Sequence, residues 1–341
     1  MGSEPQVQES RERRKATLWN GFKVLLAVLL LAVVLSNVRS QDLAETAENL
    51  APGWLPVAVP AFLFGLLVIT RRYWLLNRRR PSFRQTLSAV IMQTVIGNVL
   101  AAAAGAVSYV AVLRGRHNVR VAQGLFSLLA ARVYDLVILL GLFAAVSLTF
   151  WATIKPLHWP VILALVFLGP PALGLLCLLA LRERFLQPAD RILTWTRMKR
   201  LRFIQRAWDE TLSALRETTS ERPFSEAALL LAHSLAIQVL SFVLFLSTAR
   251  FFGLTIGPGP LLFIFTLTQL IMVIPIQVFG GLGMADVSIL YLCGVFGGSP
   301  HEVAPAVLGM RVTLYALNAL LLLYLPLETL LARSGSAPKE T

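Results

Sequence analysis

Six stretches of nearly unbroken apolar character recur along the chain, at 18–38, 54–70, 121–151, 159–181, 227–249 and 305–330. A hydrocarbon core about 30 Å thick takes about 20 apolar residues of helix, so each predicts a full membrane span. Two further apolar stretches, 86–113 and 261–295, are interrupted by glycine and polar residues. Their pattern predicts helical segments with a break in the middle.

Charge decides how the interrupted stretches run. Segments 1–23, 71–84, 114–120, 182–226 and 331–341 are each net positive, and 71–84 holds Arg71, Arg72, Arg78, Arg79, Arg80 and Arg84 without an acid. The connections 39–53, 152–158, 250–260 and 298–303 are together slightly acidic. Short cationic loops stay cytoplasmic, so the first set is placed inside and the second outside, with both termini cytoplasmic. Stretch 86–113 then enters and leaves by the inner face, and 261–295 by the outer face. At 1.5 Å per residue neither is long enough for two full crossings, so each is expected to be a re-entrant hairpin of two half-helices. Gln93, Thr94, Gly97 and Asn98 supply the first tip. The run PIQVFGGLG, with Pro275, Gly280, Gly281 and Gly283, supplies the second. Irregular backbone at membrane depth survives only where protein or water satisfies it, which puts both tips in the protein interior.

The fold class expected is an all-α polytopic integral membrane protein of six full spans plus two re-entrant helical hairpins. Residues 18–151 and 159–332 each read span, span, hairpin, span, with opposite orientation, which is the order of an inverted repeat; transporters built this way hold their site at the midplane. Residues 1–17 form a cytoplasmic N-terminal segment and 333–341 a cytoplasmic tail. The connector 182–222, counted within the second repeat, carries Leu201, Ile204, Trp208, Leu212 and Leu215 at helical spacing beside Arg197, Lys199, Arg200, Arg202 and Arg206. It reads as an amphipathic helix on anionic headgroups.

Composition sharpens this. The 341 residues are 56% hydrophobic and only 14% charged, with a net charge of +13 and a mean hydropathy of +0.69. Soluble domains carry roughly 25% charged residues, so an ordinary soluble enzyme is excluded. The surplus arginines flank spans, which argues against nucleic-acid binding. Arg11, Arg13, Arg14 and Lys15 precede a long apolar run without a small-x-small site, the pattern of an uncleaved signal anchor. Cys177 and Cys293 both lie in apolar stretches, which excludes a disulfide framework. His117, His158, His233 and His301 show no metal spacing, and no cofactor is expected.

Ionisable residues inside a membrane are expensive and default to functional candidates. Arg132 and Asp135 stand at i, i+3 in the third span, Asp286 follows the GGLG tip, and Arg311 lies two turns into the last span. Two cations and two anions suggest one interior cluster lining a cavity for a charged headgroup, with the arginine forks suited to phosphate. Glu328 lies near the inner end of its span. Gln93, Asn98, Gln123, Gln269 and Gln277 read as interhelical glue.

The segment Ala131-Arg132-Val133-Tyr134-Asp135-Leu136 resembles the (E)R-x-x-D-L motif of the lysylphosphatidylglycerol synthase transmembrane family, the flippase-like domain of bacterial multiple-peptide-resistance proteins. The run IPIQVFGGLGMADVSIL resembles that family's P-x-x-x-G-G-L-G-x-x-E motif. Arg311 and Tyr315 resemble its R-x-x-x-Y. Asp286 stands where the family has Glu, Ala285 where it has Arg, and Ala131 where it has Glu. The family's P-G-x-x-G-E-x-x-R is eroded, with Gly105 at its second glycine and Tyr109 at its arginine. The resemblance spans roughly 18–332 and implies Arg132, Asp135, Asp286, Arg311 and Tyr315 as substrate-binding residues. Fused members carry a cytoplasmic aminoacyl-transfer domain after the membrane part. Here Thr341 follows the last span closely, so the expectation is a stand-alone member that moves or binds a lipid rather than making an aminoacyl lipid.

The reading that follows is a bacterial inner-membrane lipid translocase or lipid-binding transporter, not an enzyme. Its partners would be an anionic lipid or lipid-linked phosphate and a separate lipid-modifying synthase. Two alternatives stand beside it. One is a non-transporting partner of an envelope-lipid or polysaccharide assembly machine. The other is a polyprenyl-phosphate-dependent glycosyltransferase using Asp42, Glu45 or Glu48.

Overall fold

The computed structural model describes residues 46, 48–117, 119–180, 223–273 and 283–324. The expected first span at 18–38, the connector at 182–222, segments 1–17 and 333–341, and Pro275, Gln277, Gly280, Gly281 and Glu328 lie outside the described residues. Among the described residues all regular structure is helical. In chain order the helices are α1 (Leu55–Leu76), α2 (Phe83–Val99), α3 (Ala102–His117), α4 (Val121–Thr149), α5 (His158–Ala180), α6 (Pro223–Phe251), α7 (Pro258–Ile271), α8 (Met284–Val295) and α9 (Pro300–Leu322).

Five of these, α1, α4, α5, α6 and α9, are long and apolar enough to cross a membrane. They match five of the six runs expected. Their outward faces carry Leu63 and Phe64 on α1, Leu129 on α4, and Trp159, Val166 and Phe167 on α5, all exposed. Apolar side chains turned outward along whole helices are what a lipid environment accepts. Trp54, Trp151 and Trp159 stand where α1 begins, α4 ends and α5 begins, and helix ends are where amphipathic rings favour a membrane interface.

The remaining four helices are short. At 1.5 Å per residue, the 17 residues of α2 and 16 of α3 reach about 25 Å. The 14 of α7 and 12 of α8 reach about 20 Å. Helices α2 and α3 pack closely along their length, so the first interrupted stretch is a helical hairpin; in the second, α7 packs on α8. The first turn sits at Leu100–Ala101, later than the expected Gln93–Asn98 tip. Gly97 is inside α2 instead. The reason is packing: a Cβ on Gly105 would fall 2.4 Å from the Gln93 carbonyl oxygen and 2.9 Å from the Gly97 backbone. The small residues bring two helices together rather than breaking one.

Local chemistry sets the ends. Ser82 Oγ accepts from the Gln85 N–H at 3.3 Å, while Gln85 Oε1 accepts from the Ser82 N–H at 2.7 Å, a reciprocal cap that starts α2. Ser299 Oγ accepts from the Glu302 N–H, with Pro300 at the first helical position of α9. Arg72, assigned to a loop from its charge, is a correction: α1 runs on to Leu76 because Tyr73, Trp74, Leu75 and Leu76 continue the apolar pattern, and Arg72 is only 3% exposed.

Helix α1 runs antiparallel to α6. The Ala51 N–H donates to Phe251 O at the start of α1, Gly65 meets Leu240 midway, and Arg72 bonds Ser234 near the other end. The other contacts are reciprocal. Helix α4 packs on α7 and α9 packs on α2; α3 packs on α4 and α8 on α9. Two apolar cores result, one around Phe143, Phe263 and Val303 and one around Ile91, Tyr109 and Leu128, with α4 and α6 contributing to both.

Candidate functional site

A cavity of about 480 Å³ opens between the two halves. Its walls are chiefly apolar, from Phe62 and Leu66 of α1, Leu244 of α6, Phe265 of α7, Ile289 of α8 and Leu314 of α9. Polar groups converge on it from both hairpins and both last helices: Thr94 and Asn98 of α2, Arg132 of α4, Thr268 and Gln269 of α7, Asp286 of α8 and Arg311 of α9.

Asp286 is held by its own helix. Gly283, at φ +90°, turns the chain into α8 in a conformation that L side chains rarely adopt. Its N–H then donates to Asp286 Oδ2 at 2.9 Å. The other oxygen, Oδ1, accepts from Arg311 Nη2 at 2.8 Å and Nε at 3.2 Å. The pair is largely buried, with 4% of the Asp286 side chain and 14% of the Arg311 side chain exposed.

Arg132 is arranged differently. It is exposed, faces the cavity, and has no hydrogen bond or ion pair to another of the described residues. Asp135, one turn further along α4, does not line the cavity. Its carboxylate is taken bidentately by Arg72 of α1, with Nη1 on Oδ1 and Nη2 on Oδ2 at 3.0 Å. Arg72 Nη1 also donates to Ser234 Oγ of α6 at 2.8 Å. The four charges expected as one cluster do not form one: Asp286 pairs with Arg311, Asp135 pairs with a fifth charge, Arg72, which reaches it from inside the bundle, and Arg132 stands apart in the cavity. Tyr315 is half-buried and does not line the cavity, and Gly97 lies at the α2–α3 contact.

Arg132 and Arg311 share a register. Each is the twelfth residue of the last helix of its half, in the matching strings Leu129-Ala-Ala-Arg132-Val133 and Leu308-Gly-Met-Arg311-Val312. Asp286 is the third residue of α8, and the third residue of α3 is Ala104.

The amides behave as glue. Gln93 Nε2 donates to the Tyr73 hydroxyl at 3.2 Å, Gln123 Nε2 to Asn77 O at 3.2 Å, and Asn98 Nδ2 to Asn318 Oδ1 at 3.1 Å. The last of these ties the C-terminal end of α2 to α9. Arg72, Ser234 and Asn318 escaped the sequence reading. The apolar residues that follow Arg72 were the signal that it belongs to a span. Among the described residues no group of three His, Cys, Asp or Glu could hold a metal. Asp42 and Glu45 lie outside the described residues, and Glu48 is exposed.

Fold and cavity together define a multi-pass α-helical membrane protein with a polar interior site. The family described as lysylphosphatidylglycerol synthase TM region matches residues 21–321, and the chain belongs to it. No curated protein and no solved structure matches the chain.

Proposed function

We propose that the protein is a lipid translocase or lipid-binding transporter of the bacterial inner membrane, and not an enzyme, that passes a phosphate-bearing headgroup through the cavity while the acyl chains stay in lipid. The observation that carries this reading is that Arg132 and Arg311 come from the two halves of the chain to one apolar-walled cavity. A guanidinium fork matches phosphate oxygens, and apolar walls accept the glycerol and acyl regions beside it. Membership of a membrane lipid-related family agrees with this.

In this reading the two halves are inverted repeats, the hairpins are re-entrant, and both termini are cytoplasmic. The antiparallel α1–α6 contact and the reciprocal pairing of α4 with α7 and α9 with α2 support that arrangement. Rocking one half against the other would expose the midplane cavity to each leaflet in turn. A separate synthase would supply or consume the lipid.

The test is headgroup movement in vesicles holding the purified protein and a fluorescent phospholipid, read by quenching from one side. Arg132→Ala and Arg311→Ala are each expected to slow movement by at least about tenfold, the scale of one charge-assisted contact. Unchanged rates in both variants would remove the cavity from the transport path.

A further inference from the structure

The cavity's charge balance says more about the headgroup than its shape does. Its described walls hold two guanidiniums and one carboxylate. That carboxylate has no oxygen left over, since Oδ1 is held by Arg311 and Oδ2 by the Gly283 N–H. Among the described residues, Asp135 of α4 is withdrawn to Arg72. Residues 18–38 and 274–282 contain no Asp or Glu. The imbalance follows from how the halves differ: Asp286 of α8 anchors Arg311, while Ala104 at the corresponding place in α3 gives Arg132 no such partner.

Resting on the translocase reading, we infer that the cavity selects phosphate headgroups of net negative charge and rejects aminoacylated headgroups of net positive charge. A phosphodiester carries one negative charge, which Arg132 neutralises. A lysyl ester on the same headgroup adds two ammonium groups, and the described walls of the cavity offer them no unengaged carboxylate. An ammonium moved from water into such a site without a counter-charge is disfavoured, and next to Arg132 it is also repelled.

Binding tests this separately from transport. The full chain in detergent is titrated with short-chain phosphatidylglycerol, with its lysyl ester, and with inorganic phosphate, and affinity is read from the ligand-dependent rise in melting temperature. Phosphatidylglycerol is expected to bind at least about tenfold more tightly than the lysyl ester, the scale of one charge contact. Inorganic phosphate, lacking the apolar part, is expected to bind more weakly than phosphatidylglycerol. Arg132→Gln should weaken phosphatidylglycerol and leave the lysyl ester unchanged, so that the preference narrows, while Arg132→Lys should keep it. Equal or tighter binding of the lysyl ester overturns the inference, as does an equal loss of both ligands in Arg132→Gln. Inorganic phosphate binding as tightly as the lipid overturns the lipid part of it. Selective binding without headgroup movement in vesicles would sink the translocase reading alone; movement of both lipids at equal affinity would sink the selectivity alone.

Discussion

Asp135 is bound by Arg72, 63 residues away in sequence, and not by Arg132, its neighbour one turn back on α4. The two arginines thereby divide the work. Arg72, buried at 3% exposure, joins α1, α4 and α6 through Asp135 and Ser234. Arg132 stays available to the cavity. A carboxylate that could have neutralised the binding site is instead part of the scaffold.

This division predicts opposite consequences for the two arginines. Removing one partner of a buried ion pair costs about 3–5 kcal/mol, because the other charge is left desolvated and unpaired. Arg72→Ala should therefore lower the melting temperature of the detergent-solubilised protein strongly, and Asp135→Ala should do so as well. The double variant Arg72→Leu with Asp135→Leu should recover much of the loss, since no buried charge remains. Arg132→Ala should melt close to the parent. A strong destabilisation by Arg132→Ala, or additive losses in the double variant, would show that the pairs are assigned wrongly.

The α2–α3 contact predicts a difference between two glycines that sequence alone treats alike. A Cβ on Gly97 would sit 3.9 Å from its nearest backbone neighbours, an ordinary contact. A Cβ on Gly105 would meet the Gln93 carbonyl at 2.4 Å, and backbone cannot step aside as a side chain can. Gly97→Ala should therefore be tolerated within about 1 kcal/mol, whereas Gly105→Ala should cost about 1–3 kcal/mol through overpacking. Comparable melting temperatures for the two variants would contradict the close approach.

The Asn98–Asn318 hydrogen bond joins the C-terminal end of α2 to the helix that carries Arg311. Interhelical hydrogen bonds in membrane proteins average about 0.6 kcal/mol and reach about 1.7 kcal/mol. A double-mutant cycle with Asn98→Ala and Asn318→Ala should return a coupling energy in that range. Because Asn98 also lines the cavity, Asn98→Ala should slow headgroup movement more than Asn318→Ala does. Zero coupling in the cycle would mean that the contact is not made in the membrane.

The spans were legible because a run of about 20 apolar residues has few alternatives to a transmembrane helix. Arg132, Asp286 and Arg311 were legible for a related reason: a charge kept inside such a run must be compensated or used. Partner choice was not legible, since Arg72 and Ser234 reach Asp135 from helices distant in sequence. Gly97 was misread as a tip because glycine serves equally for a break and for a close approach. Only the Gly105 backbone opposite it tells the two apart. The matching register of Arg132 and Arg311 was present in the strings LAARV and LGMRV. It acquired meaning only once both arginines were seen to line one cavity.

Asp286 carries two duties with one carboxylate, and variants should separate them. Its Oδ2 accepts the Gly283 N–H as the cap of α8, and its Oδ1 holds Arg311. Asp286→Asn keeps an oxygen that can accept the capping bond but removes the negative charge, so Arg311 loses its ion pair while the helix start survives. Asp286→Ala loses both. A lost cap typically costs about 1 kcal/mol, on top of stranding Arg311, which is mostly buried. Asp286→Glu keeps a carboxylate three residues into the helix, where a glutamate can still reach back to the capping N–H. Melting temperatures should therefore rank parent and Asp286→Glu highest, Asp286→Asn next and Asp286→Ala lowest. With the carboxylate neutralised, Asp286→Asn should also bind an anionic phospholipid at least as tightly as the parent, because the cavity then loses its one described negative charge while keeping both guanidiniums. If Asp286→Asn melts with the parent and binds anionic lipid less well, the carboxylate serves the ligand directly rather than through Arg311.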